Sequence, residues 1–152
     1  MAANVPATAP GLSVSTRVFP AVAGQVREAR RFLAGLLNGC QAGDDALACL
    51  SELATNSVRH SRSGRPGGTF CVRARVHSGR VRVEVEDDGG AWEPADGGNG
   101  LSGRGLVIVS ELASRWGRVG GDARRIVWFE IDWPRPGHFR IAQLNETVPD
   151  TP

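Results

Sequence analysis

Apolar residues recur along this chain with two different periods, and the changes of period mark its elements. Residues 13–19 read as a short strand that stops at Pro20. Val22, Val26, Ala29, Phe32, Leu33, Leu36 and Leu37 then return at helical spacing and predict a first amphipathic helix. Gly39 and Gly43 bracket a turn, after which Asp44 or Asp45 can cap a second helix reaching about His60. Its core stripe is Ala46, Leu47, Leu50, Leu53, Ala54 and Val58. Beyond the polar loop 61–68 the period becomes two. Phe70, Val72, Ala74 and Val76 alternate with Cys71, Arg73, Arg75 and His77, Ser78-Gly79 makes a hairpin turn, and Val81, Val83 and Val85 alternate with Arg80, Arg82, Glu84 and Glu86. Arginines and glutamates set opposite one another predict a sheet face open to solvent.

Residues 89–102, with their glycines and Pro94, read as a mobile loop. A third helix from Gly105 carries Leu106, Val109, Leu112, Ala113 and Trp116 on one stripe, and Val119 and the run 126–133 supply two closing strands. Trp116 and Trp128 are expected in the core. The pattern predicts an α+β protein: a two-layer sandwich with helices on one face of a mixed, mainly antiparallel sheet. Residues 1–12, rich in Ala, Pro and Thr, read as a disordered tail, 13–133 as the folded domain and 134–152 as a peripheral tail.

Composition narrows the classes. A chain of 152 residues with 41% hydrophobic and 22% charged content suits one soluble domain. All 18 basic residues are arginine and the net charge is only +2; the arginines are dispersed among acids, which argues against a nucleic-acid partner. Cys40, Cys49 and Cys71 lack metal-like spacing and read as small core residues or free thiols. No apolar run approaches the roughly 20 residues of a membrane span. Nor do the first eleven residues resemble a secretory leader, so a reducing cytoplasm is expected.

Three clusters carry candidate chemistry. Glu52, Asn56 and His60 stack at i, i+4 and i+8 on one helix face. A carboxylate and an amide oxygen there suit a hard cation such as Mg²⁺, which keeps sites for phosphate oxygens; Glu52 can alternatively take a proton from an attacking hydroxyl or water. Strand parity carries Asp87 inward and Asp88 outward, and an inward carboxylate needs a donor such as the amine of adenine, which Gly89 lets approach closely. Gly103-Arg104-Gly105-Leu106 opens the third helix, where free N–H groups favour an anion and Arg104 can grip a phosphate. Taken singly, these are equally a solvated polar face, a turn and a flexible loop.

In this order, the clusters resemble the GHKL ATPase superfamily, which includes histidine-kinase catalytic domains and gyrase-type ATPases. The chain is most similar to its small branch of anti-sigma-factor serine kinases and their actinobacterial ATP-binding relatives. The matching segments are Ser51-Glu52-Leu53-Ala54-Thr55-Asn56-Ser57-Val58-Arg59-His60, Val83-Glu84-Val85-Glu86-Asp87-Asp88-Gly89-Gly90, Gly103-Arg104-Gly105-Leu106-Val107-Ile108-Val109 and Val127-Trp128-Phe129-Glu130. The resemblance implies ATP with Mg²⁺ beneath a lid at 88–102. Asn56 would hold Mg²⁺, Glu52 would be the general base, and Asp87 would take the adenine amine beside Gly89. Gly103, Arg104, Gly105 and Leu106 would meet the phosphates, with Arg59 a further basic contact. It also implies partners: an anti-sigma-factor antagonist that is phosphorylated, a sigma factor that is sequestered, and a homodimer. A non-catalytic nucleotide-dependent switch is the competing function. Three residues depart from the pattern: Ala91 where a second glycine is usual, Ile126 for a threonine lining the adenine pocket, and Arg125 for the preceding lysine.

Overall fold

The computed structural model describes residues 11–90 and 104–134, with the backbone alone for Arg104 and Gly105. The order of elements is β1 (Ser13–Pro20), α1 (Ala23–Leu36), α2 (Gly43–His60), β2 (Thr69–His77), β3 (Arg80–Asp87), α3 (Arg104–Leu112), β4 (Arg115–Gly120) and β5 (Arg125–Asp132). The strands form one five-stranded sheet in the order β1-β2-β3-β5-β4, antiparallel at every described pairing. The helices cover one face, giving the α+β two-layer sandwich that the periodicity predicts; the parallel component of a mixed sheet is not found among the described strands.

Period-two alternation decides which face is covered. Val72, Ala74, Val81, Val83, Val85 and Phe129 point inward and are at most 1% exposed. They meet Ala29 and Leu33 of α1 and Ala46, Cys49, Leu50, Leu53 and Ala54 of α2. Each large side chain buried here contributes about 1.5–3 kcal/mol. Phe19 stacks on its cross-strand partner Phe70 at 5.4 Å between ring centroids, and Phe32 of α1 closes on Phe19 edge-on at 5.9 Å.

The outer face carries the charged ladder. Arg75 and Arg82 face each other in register, a like-charge pairing relieved by Glu84, whose carboxylate lies 3.9 Å from Arg75 and 3.0 Å from Arg82. Arg73 donates to the same carboxylate at 3.1 Å. Arg115 bridges Glu130 and Asp132 at 2.8 and 2.9 Å.

Several boundaries differ from the sequence reading. Neither Asp44 nor Asp45 caps α2; Ala42 is the N-cap and makes no side-chain cap bond, while both acids occupy the first turn and favour the positive end of the helix dipole. The third helix stops at Leu112, and Trp116 belongs to β4, because Ser114 N–H donates to the Glu130 carbonyl and the chain pairs with β5. The apolar spacing from Leu106 to Trp116 ran on across that change of structure. Trp116 is 38% exposed on an edge strand, so it is not a core residue. Trp128 is half-buried on the outer face, its ring stacked under the Arg82 guanidinium at 4.1 Å and lying against Gly117. The tails expected at 1–10 and 135–152 lie outside the described residues.

Candidate functional site

Asp87 ends β3 on the inward side, as parity predicts, and is 4% exposed. Its carboxylate is held by three of the protein's own donors. Ser57 Oγ–H donates to Oδ2 at 2.7 Å, Arg125 Nη2 to Oδ2 at 2.8 Å, and the Gly89 N–H to Oδ1 at 2.9 Å. Arg125 is itself only 3% exposed, so this ion pair is wholly internal. The donor required by a buried carboxylate is therefore present before any ligand arrives.

Ser57 faces the core from α2 while its neighbour Asn56 and, one turn earlier, Glu52 are half-buried at the core edge. Glu52 and Asn56 make no side-chain hydrogen bond or ion pair with any described residue, unlike most acids of the outer face. Arg59 and His60 are exposed on the last turn of the helix. The Ser57–Asp87 bond thus fastens the turn of α2 that carries Asn56 to the end of β3.

The strand end is gripped from a second side by a 3₁₀ turn at Arg62–Gly64. Ser63, fully buried, accepts from Asp88 N–H at 2.9 Å, and Arg62 N–H donates to the Gly89 carbonyl at 2.8 Å. Gly89 has φ +70°, and a Cβ there would collide with the Gly121 carbonyl oxygen. Its glycine character admits the β4–β5 turn, a structural demand additional to any approach by a flat ring. Asp88 is exposed, as expected.

Arg104 and Gly105 form the first turn of α3, and Leu106 is half-buried. Gly103 and lid residues 91–102 lie outside the described residues. On the helix side of the sheet, Leu106, Trp116, Arg118 and Val127 line a cavity of about 190 Å³. Val127 lies two residues along the same inner face from Arg125. A larger depression, about 500 Å³, opens among Arg75, Arg82 and Asp132 on the outer face, across the sheet from Asp87. Neither cavity is lined by Glu52, Asn56 or Asp87.

Sequence reasoning missed Ser57, Ser63 and Arg125 as partners of the acidic strand end. Arg125 had a legible signal, since two inward positions on antiparallel neighbours must meet; the register sets Asp87 against Arg125. Ile126, expected at the adenine pocket, instead pairs with Glu86 and belongs to the outer face.

The residues suit a nucleotide. The amide of Asn56 and the carboxylate of Glu52 are hard oxygen donors, enough for an ion such as Mg²⁺ that takes one or two protein ligands and completes its shell with water and phosphate. No group of three or more His, Cys, Asp or Glu side chains able to hold a metal by themselves occurs among the described residues. That donor set is poor for a resident metal and adequate for one that arrives with phosphates.

The site thus consists of an antiparallel sheet backed by helices, with a buried acid at a central strand's end hydrogen-bonded to one of them. Residues 19–131 match the family described as the histidine kinase-like ATPase domain, and the chain belongs to that family. Comparison with curated proteins gives no match. Among solved structures, the chain is similar in fold to the RsbU and RsbW domains of Rv1364c from Mycobacterium tuberculosis, with a TM-score of 0.62 and 20% identity. The alignment covers 82% of this chain and 33% of that one, so this protein spans about a third of the length of its structural relative.

Proposed function

We propose that this protein is an ATP-binding regulator of the anti-sigma-factor type, which phosphorylates a serine or threonine of a small antagonist protein and binds a sigma factor. The observation that carries the proposal is the Ser57–Asp87 hydrogen bond, which sets the Glu52/Asn56 face of α2 beside the strand-end acid. Membership of the ATPase family supports ATP as ligand, and the fold likeness to a chain containing an RsbW domain supports the regulatory branch.

Asp87 accepts the adenine amine, and Asn56 would hold Mg²⁺, which neutralises phosphate charge when bound. Glu52 takes the proton of the attacking hydroxyl, a contribution of typically about 10²–10⁴-fold. The N-terminal turn of α3, with Arg104 and Gly105, meets the phosphates through free N–H groups. Arg59 is a further basic contact. Gly103 and the lid belong to the same proposal.

A second reading, a nucleotide-dependent binding switch without catalysis, is favoured by one observation: Asp87 is already satisfied by internal donors. Incubation with γ-labelled ATP and candidate antagonist proteins separates the two. Transfer of label that falls at least about a hundredfold in Glu52→Ala supports the kinase. Nucleotide binding without transfer to any candidate supports the switch, and transfer undiminished in Glu52→Ala refutes the role of that residue.

A further inference from the structure

We infer that the outer face of the sheet, at the depression beside Arg75 and Arg82, docks an acidic segment of a partner protein that brings two carboxylates to these guanidiniums. The surface lies across the sheet from Asp87, so the inference stands apart from the nucleotide reading.

Arg75 and Arg82 are directly opposite in the β2–β3 register, on the face that also carries Arg73, Arg80, Glu84, Glu130 and Asp132. Like charges set opposite one another across antiparallel strands are destabilising. One internal carboxylate answers them, and it answers unequally. Glu84 accepts from Arg82 at 3.0 Å and from Arg73 at 3.1 Å, whereas Arg75 stays 3.9 Å away, beyond hydrogen-bond length. Arg82 also donates to Glu130 at 3.0 Å, and Arg80 to Asp132 at 2.6 Å. Among the described residues, Arg75 is thus the guanidinium of this face that no carboxylate hydrogen-bonds, and its side chain is 46% exposed.

The balance of charge points the same way. Arg73, Arg75, Arg80, Arg82 and Arg115 share the three carboxylates of Glu84, Glu130 and Asp132, leaving an excess of two positive charges. Glu86, farther along the face, is taken by Arg124. Arg75 and Arg82 line the depression of about 500 Å³ together with Leu12, His77 and Arg80, a size within the roughly 300–1,000 Å³ of ligand sites. Val14, in register with Arg75 and 50% exposed, adds an apolar shoulder. Two carboxylates match the excess. Along an extended chain, residues i and i+2 point the same way about 6.6–6.8 Å apart, the repeat that also separates Arg73 from Arg75 and Arg80 from Arg82. A longer polyanion such as a nucleic acid would run on to Glu130 and Asp132, which repel it.

The test is binding of an octapeptide of alternating Glu and Thr, bearing a neutral rhodamine, to the full chain at about 0.15 M ionic strength, where exposed charges more than about 8 Å apart are screened. Fluorescence anisotropy is read for the wild type, Arg75→Glu, Glu84→Gln and Arg27→Glu, the last making the same change of charge on the exposed side of α1. The wild type should bind saturably, and should not bind the same peptide with Gln in place of Glu. Arg75→Glu should lose about 10- to 100-fold, the worth of a hydrogen bond to a charged group, while Arg27→Glu should change affinity by less than about threefold. Glu84→Gln should bind several-fold more tightly, because the internal carboxylate that competes for Arg73 and Arg82 is gone. No binding by the folded wild type, equal binding of the Gln peptide, or equal losses in Arg75→Glu and Arg27→Glu would overturn the docking site. So would unchanged or weaker binding in a folded Glu84→Gln. Should Glu84→Gln fail to fold, Arg75→Glu decides, since the Arg75 side chain has no hydrogen-bonded partner to lose. Two further outcomes would reassign the face and overturn a foreign protein segment as its occupant: tighter, Arg75-dependent binding of an oligothymidylate, or a homodimer that Arg75→Glu dissociates in light scattering.

Discussion

The Ser57 hydroxyl donates to Asp87 Oδ2 at 2.7 Å, joining two segments 30 residues apart inside the core. One hydrogen bond thereby sets the position of the polar face of α2 relative to the end of β3. A bond from a neutral donor to a buried charge is worth about 1.5–3 kcal/mol. Ser57→Ala should lower unfolding stability in urea by that amount and weaken Mg-ATP binding, since the Asn56 turn loses its anchor. A variant as stable as the wild type would mean the bond is not made in solution.

Asp87→Asn bears on the ion pair with Arg125. An amide cannot neutralise a guanidinium that is 3% exposed, and breaking a buried pair from one side costs about 3–5 kcal/mol. The variant should therefore unfold at clearly lower denaturant while also losing nucleotide binding. The two effects separate if binding is measured well below the unfolding transition. Wild-type stability in Asp87→Asn would contradict the pairing.

Glu52 behaves differently, because no described residue holds its carboxylate. Glu52→Gln should change stability by no more than about 0.5 kcal/mol and retain Mg-ATP binding, yet abolish phosphoryl transfer. Loss of folding in this variant would show that Glu52 is structural. Its charge has one visible effect: burial first, then the charges of Asp45 and Glu52, push the neighbouring Cys49 thiol up to about 11.

The outer ladder predicts an acid limit to stability. Burial raises the Glu84 carboxyl, but Arg82, Arg75 and Arg73 outweigh it and hold the group below its ordinary 4.5. Glu130 is likewise lowered, burial being overcome by Arg115 and Arg82, and Asp132 is lowered from 3.8 chiefly by its hydrogen bond from Arg80. For a carboxyl depressed in the folded state, the stabilisation is complete above the unfolded value and drains away as pH falls through the folded one. Stability should thus be flat above about pH 5 and decline below it. Glu84→Gln should make that decline shallower in denaturation curves across the acid range; an unchanged slope would count against the ladder.

Much of the fold was legible because its physics is local. Alternation at Phe70–Val76 and Val81–Val85 fixed the buried face, and parity alone carried Asp87 inward. What escaped notice depends on pairing between distant segments. The Asp87–Arg125 contact required the β3–β5 register, and Ser57 required the rotation of α2 about its axis. Trp116 misled because an apolar spacing compatible with a helix continued across the turn at Ser114 into an edge strand. Of the candidate site, Asp87 and Gly89 are joined by a hydrogen bond at the end of β3, which Ser57, the neighbour of Asn56, ties to α2, whereas Gly103 lies outside the described residues.

The proposed nucleotide site lies between the Glu52/Asn56 face of α2 and the Asp87 end of β3. Calorimetric titration of the wild type with ATP, with and without Mg²⁺, addresses it most directly. Saturable binding of one ATP per chain, strengthened by Mg²⁺ and weakened by Asn56→Ala, is the predicted result. Absence of saturable binding by the folded protein, or binding indifferent to both Mg²⁺ and Asn56, would contradict it.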